Sequence, residues 1–210
     1  MILYCLRHGE TTHNAEGRIQ GQSDRAVLSD LGRRQSDEAA RALAGRPIEA
    51  IYSSPLRRAL ETALLIARPH GLEVRSDPRL MEINAGIFQD KLRSEVNRLY
   101  PQEIAHWNGD DSDYIIPGGE SRRQLARRGC EAFEAIRRAR HREAVVVAHG
   151  RMLTFTFKSL VGIPDDQPPY SLHNGSISTL VLHDDGRTEL VSLDRVDHLG
   201  SVGTTGHGDL

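Results

Sequence analysis

Ala144-Val145-Val146-Val147-Ala148-His149-Gly150 is the stretch that decides the fold. Its first five residues are all apolar and rich in valine, which predicts a strand buried on both faces, and such strands belong to parallel sheets covered by helices. The run stops at a histidine and a glycine, so a polar ring is delivered at the strand's carboxyl end. The same pattern opens the chain: Ile2 to Leu6 is an apolar run of strand length, cut off by Arg7-His8-Gly9. Ala50 to Ser53 is a shorter third strand. Ser54-Pro55 after it suggests an N-cap and a proline in the first helical position, with a helix reaching about Ala67.

Helical segments fill the spaces between these strands. Leu28 to Ala44 is charged and alanine-rich, with Ser29 as its N-cap and Gly45 and Pro47 ending it. A long helix is expected from Ser121 to about Arg140. Ser176–His183 and Thr188–Leu193 flank Asp184-Asp185-Gly186, which predicts a hairpin at an antiparallel edge. Strands alternating with helices predict an α/β fold: a mostly parallel sheet with helices on both faces, three layers in all, and a ligand site beyond the strands' carboxyl ends. Between Asp77 and Gly119 the periodicity is poor, and only a short helix around Arg93 to Tyr100 is placed. Residues 84–117 are therefore expected to form an insertion over the site. One domain spans 1–199, followed by a glycine-rich tail, 200–210, expected to be mobile.

Composition narrows the function classes. A length of 210 residues suits one packed domain, and 38% hydrophobic with 27% charged residues is ordinary for a globular protein. A net charge of -2 provides no global field for nucleic acid or an anionic membrane. Neither is expected as a partner. The two cysteines, Cys5 and Cys130, have no metal or redox spacing, and no apolar run is long enough for a membrane span, so a cytoplasmic enzyme is expected.

Three strand ends in one parallel sheet share one edge. Arg7-His8, Ser53-Ser54 leading to Arg57-Arg58, and His149-Gly150 are thus brought toward one pocket holding two imidazoles and several guanidinium groups. A phosphoryl group in transfer keeps its negative charge on three oxygens and needs cations around them, together with an aligned nucleophile. Arginine's donor fork suits those oxygens. His8 is the candidate nucleophile, its second ring nitrogen held by a partner. Glu82, within Leu80-Met81-Glu82-Ile83, is the candidate proton donor for the leaving alkoxide. The other histidines, His13, His70, His106, His141, His173, His183, His198 and His207, show no ligand spacing and are read as surface or structural. The pairs Arg122-Arg123, Arg127-Arg128 and Arg137-Arg138 alternate with glutamates on a presumed helix and are read as a solvated face. No metal site is expected.

Leu6-Arg7-His8-Gly9-Glu10-Thr11 with Asn14 resembles the opening motif of the histidine phosphatase superfamily, which includes phosphoglycerate mutases. Ser53 to Ala63 resembles its second motif, Glu82 with Gly86 its acidic segment, Gly118-Gly119-Glu120-Ser121 the following helix start, and Val147-Ala148-His149-Gly150 the second histidine motif. The resemblance covers about residues 3 to 182. It implies that His8 becomes a phosphohistidine, that Arg7, Arg58 and His149 clamp the phosphoryl oxygens, and that Glu82 acts as acid and then base. It further implies that Asn14, Gln20, Gly21 and the Gly150 amide complete phosphate binding, while Arg57 faces solvent. Two departures, Ile87-Phe88-Gln89-Asp90 after Gly86 and Arg151 after the second histidine, bear on substrate identity. Arg151 is a candidate partner for a second anionic group.

The expected activity is a phosphatase acting on a small phosphate monoester without a cofactor. A phosphoglycerate-type mutase, which would need a bisphosphoglycerate primer, is the alternative, and a non-catalytic phosphate-binding module is a third. Residues 82–90 lack the mutases' Glu-Arg-His-Tyr-Gly segment, which favours hydrolysis. The carboxyl-terminal hairpin leaves a homodimer open.

Overall fold

A computed structural model of the protein describes residues 1–163 and 171–204. In chain order it comprises β1 (Ile2–Arg7), α1 (Thr12–Glu16), α2 (Asp30–Leu43), β2 (Ala50–Ser53), α3 (Arg57–Ala67), β3 (Val74–Ser76), α4 (Arg93–Leu99), α5 (Pro101–Asn108), α6 (Arg122–Arg138), β4 (Glu143–Ala148), α7 (Gly150–Val161), β5 (Ile177–Leu182) and β6 (Thr188–Arg195). The strands form one sheet in the order β3-β2-β4-β1-β5-β6. β3, β2, β4 and β1 run parallel, and β5 and β6 add the antiparallel edge. This is the expected α/β arrangement.

Burial separates two cores, one on each side of the sheet. Leu6, Ile51, Val145 and Val147 pack with Ala39 and Leu43 of α2 and Ala59, Ala63 and Ile66 of α3. Leu3, Cys5, Ala144, Val146 and Ala148 face the other way, onto Leu125, Phe133 and Ile136 of α6, Met152, Leu153 and Phe157 of α7, and Phe88, Val96, Trp107 and Ile116 of the 84–117 stretch. β4 is consequently buried on both faces, which is why no polar residue alternates through its valines.

Several expectations are corrected. α3 begins at Arg57, not at Pro55, because Ser54 Oγ accepts from the Leu56 amide at 3.2 Å and turns the chain before the helix starts. A second helix, α5, follows the one placed around Arg93 to Tyr100, and Pro101 is its first residue. Its missing N–H would have had no helical partner there anyway. The 3-10 stretch Asp197–Val202 runs from the domain into the tail, with Leu199 buried on the domain side, and within the tail the Gly203 carbonyl accepts from Gln35 Nε2 at 3.3 Å. Residues 205–210 lie outside the described residues.

The site's first support is a close pass of α2 over the loop after β1. A Cβ on Gly32 would stand 1.9 Å from the Glu10 carbonyl oxygen, and one on Gly9 would stand 2.2 Å from the Gly32 carbonyl oxygen. Glycine inside a helix ordinarily costs about 1 kcal/mol relative to alanine. Gly32→Ala is nevertheless expected to destabilise the protein, by roughly 2 kcal/mol, because the obstacle is backbone and cannot rotate away. Thermal unfolding should show a midpoint lower by about 5 °C, and a higher midpoint would mean that α2 has room to withdraw.

Candidate active site

β1 and β4 end in register, Arg7 opposite Ala148, and the ladder continues one step further through the His8 amide, which donates to the Ala148 carbonyl at 3.0 Å. His8 is completely buried. Its Nδ1 lies 2.7 Å from the Gly9 carbonyl oxygen, which can only accept, so Nδ1 carries the hydrogen and Nε2 keeps its lone pair. Arg58 Nε donates to that lone pair at 3.2 Å. The imidazole is thus held in the tautomer that a nucleophilic nitrogen requires.

Arg58 is the second residue of α3 and only 1% exposed. NH1 donates to the Ser23 carbonyl at 2.9 Å and NH2 to the Gly21 carbonyl at 2.7 Å. Gly21 adopts a left-handed φ of +52°, and a Cβ there would stand 2.7 Å from Ala85 Cβ, so no larger residue could occupy this tight turn unstrained. Arg57 is exposed, as expected, and pairs with Glu61. Arg7, also buried, donates through NH1 to the Leu172 carbonyl at 2.5 Å.

His149 follows β4 as the N-cap of α7, with its ring edge-on to His8 and the centroids 5.1 Å apart. Neither ring nitrogen has a hydrogen-bond partner among the described residues. Burial, with the positive charges of Arg58, Arg128 and Arg7 adding to it, pushes His149 well below the ordinary histidine value. The ring is therefore neutral at pH 7, with one N–H to offer an oxyanion. Because the unfolded chain takes up this proton near pH 6.5 and the folded one does not, the associated stability is complete above that pH and is lost as the pH falls below it. The drop in unfolding midpoint between pH 7.5 and 5.5 should be smaller in His149→Gln than in the parent. An equal drop would mean that the ring already carries a proton in the folded protein.

Glu82 is 1% exposed and sits against the amino end of α7. Its Oε1 accepts from the amides of Ile83 at 2.8 Å and Met152 at 2.9 Å, and its Oε2 from the amide of Arg151 at 3.1 Å. One helix end thus carries His149 and orients Glu82. The remaining expected binding residues surround the same edge. Asn14 Oδ1 accepts from the Thr11 amide and from Asn174 Nδ2, at 3.1 and 3.3 Å. Gln20 Oε1 accepts from Thr11 Oγ1 at 3.0 Å, while its buried Nε2 has no partner among the described residues. Gly150 is the buried first residue of α7, and Arg151, partly exposed, is the second.

Two residues, Leu172 and Asn174, are absent from the sequence reading, and a third, Arg128, takes a different place from the one read for it. Asn174 donates to the His8 carbonyl at 3.1 Å, and the Leu172 carbonyl holds Arg7. The only local sign of this segment was Asn174-Gly175, a turn pair ahead of β5, with Gly175 at a φ of +74°. Arg128 corrects the solvated-face reading of α6. Arg127 is exposed, but Arg128 turns inward and donates through NH2 to the Glu82 carbonyl at 2.8 Å. Its spacing from Leu125 and Ala132, three and four residues away on the buried face, was the available signal. His207 lies outside the described residues.

Among the described residues, no group of three or more His, Cys, Asp or Glu side chains is placed to hold a metal ion, and no helix is long and apolar enough to cross a membrane. Comparison with known proteins then supplies relatives. Phosphoserine phosphatase 1 of Hydrogenobacter thermophilus is 32% identical over 208 residues, 98% of this chain and 97% of that one. A probable phosphoglycerate mutase of Yersinia pestis is 36% identical over 168 residues, covering 77% and 75%. Among solved structures, mycobacterial glucosyl-3-phosphoglycerate phosphatase complexed with VO3 superposes with a TM-score of 0.83 at 32% identity, over 93% of this chain and 99% of that one. Residues 3–194 match the family description "Histidine phosphatase superfamily (branch 1)", and with His8, Arg58 and His149 gathered at one sheet edge, the chain belongs to that superfamily.

Proposed function

We propose that the protein hydrolyses a small phosphate monoester in two in-line transfers, with residues 1–199 as the catalytic unit. His8 Nε2 attacks phosphorus, the P–O bond to the alcohol breaks, and Glu82 gives its proton to the departing oxygen. Glu82 then takes a proton from water as the water attacks phosphorus, the P–N bond breaks, and phosphate leaves. Arg7, Arg58 and neutral His149 surround the three equatorial oxygens, with Asn14, Gln20 Nε2, Gly21 and the Gly150 amide completing the cradle and Arg151 at its rim.

The observation that carries this reading is the His8 tautomer, hydrogen held by the Gly9 carbonyl and lone pair directed at the Arg58 guanidinium. Two of the named relatives are phosphatases, which supports transfer to water. The relative named as a mutase supports transfer to a second substrate hydroxyl. No step in this scheme calls for a metal or cofactor. Phosphate release from a panel of monoesters, measured with and without EDTA, should proceed equally in both. 3-Phosphoglycerate incubated with 2,3-bisphosphoglycerate distinguishes the activities: release of inorganic phosphate is expected, and isomer formation without release would replace the phosphatase reading with the mutase one.

A further inference from the structure

Glu82 has no helix or strand of its own. It follows a single 3-10 turn, Pro78–Leu80, and what fixes its backbone is a partly buried ion pair reaching over from α6. The Arg128 and Glu120 side chains are only 19% and 14% exposed, and Arg128 NH2 lies 2.7 Å from Glu120 Oε1. The rest of the guanidinium fork caps the carbonyls on the amino side of the acid: NH1 donates to Arg79 at 2.8 Å and also to Met81, and NH2 donates to Glu82 itself at 2.8 Å. Glu120 grips the other side, its Oε1 accepting from the Asn84 amide at 2.8 Å and its own amide donating to the Asn84 carbonyl at 3.1 Å. Gln22 Nε2 adds a further bond to the Glu82 carbonyl at 3.0 Å.

We infer that Arg128, braced by Glu120, is a positioning residue for acid catalysis: its fork sets the height and rotation of the Glu82 backbone so that the carboxyl group reaches the leaving oxygen. Only a planar, multidentate cation can cap three carbonyls and a carboxylate together, which lysine cannot do. The inference rests on the proposed role of Glu82. It also separates two kinds of damage, because a misplaced acid matters when the leaving group is a poor one and hardly matters when the leaving group departs without a proton.

The test compares kcat/KM, which reports only steps up to release of the alcohol, for 4-nitrophenyl phosphate and for an alkyl phosphate that the parent protein turns over. Arg128→Lys should lower the alkyl value roughly 30-fold or more and the nitrophenyl value less than about 5-fold. Glu120→Gln, which keeps an oxygen for the Asn84 amide and is the milder change for folding, should show the same imbalance at smaller size. Equal losses on both substrates, or no loss on either, would overturn the positioning role. Glu82→Gln run alongside separates the two levels: an imbalance there without one in Arg128→Lys sinks this inference alone, whereas no imbalance in Glu82→Gln sinks the acid assignment beneath it.

Discussion

His8→Ala is expected to lower kcat/KM for any phosphate monoester by roughly 10⁴-fold or more while leaving the fold intact. The effect is large because no other group can replace the ring. His149 stands 5.1 Å away, centroid to centroid, but it is the N-cap of α7 and neither nitrogen is held by a partner among the described residues, so nothing fixes its tautomer for attack. The fold should survive because the His8 backbone bonds, to the Ala148 carbonyl and from Asn174, do not involve the ring. The lost side chain leaves a small cavity among polar groups, worth a few kcal/mol at most. Equal phosphate release by the parent and the variant, with matched unfolding midpoints, would refute the nucleophile assignment.

Arg58→Ala is expected to cost roughly 10³-fold in kcat/KM, and Arg58→Lys to recover no more than about tenfold of that. Three effects add in the alanine variant. The transferring phosphoryl group loses a buried cation, His8 Nε2 loses the donor that orients it, and the Gly21 and Ser23 carbonyls lose their partner. Lysine restores the charge but cannot reach both carbonyls and the imidazole at once. The contrast checks the fork: if lysine restores full activity, charge alone suffices and the geometry at Gly21 is incidental. Thermal unfolding should separate the stability loss, since two buried carbonyls without donors cost on the order of 1–3 kcal/mol each.

What the sequence disclosed follows from which contacts are local. β1, β2 and β4 announce themselves because burial on both faces leaves an uninterrupted apolar run, and His8 and His149 are conspicuous because they end two of those runs. α7 was not foreseen. Its residues from Met152 to Lys158 are buried on nearly all sides, so Leu153-Thr154-Phe155-Thr156-Phe157 alternates with the period of a strand and shows no helical stripe. β3 is three residues long and half exposed at the sheet's edge, too short to carry a pattern. Arg128 and Asn174 were missed for another reason: their partners lie 46 and 166 residues away in the chain, and no local pattern encodes such a contact.

The most direct test is to quench the reaction with a phosphate monoester within milliseconds in alkali, where a phosphoramidate survives, and to map the phosphoryl group by peptide mass spectrometry and phosphorus NMR. A transient phosphoryl group on His8, bonded at Nε2 and absent from His8→Ala, is the predicted result. Turnover with no phosphorylated peptide at any quench time, or a phosphoryl group bonded to Nδ1 or to His149, would contradict it.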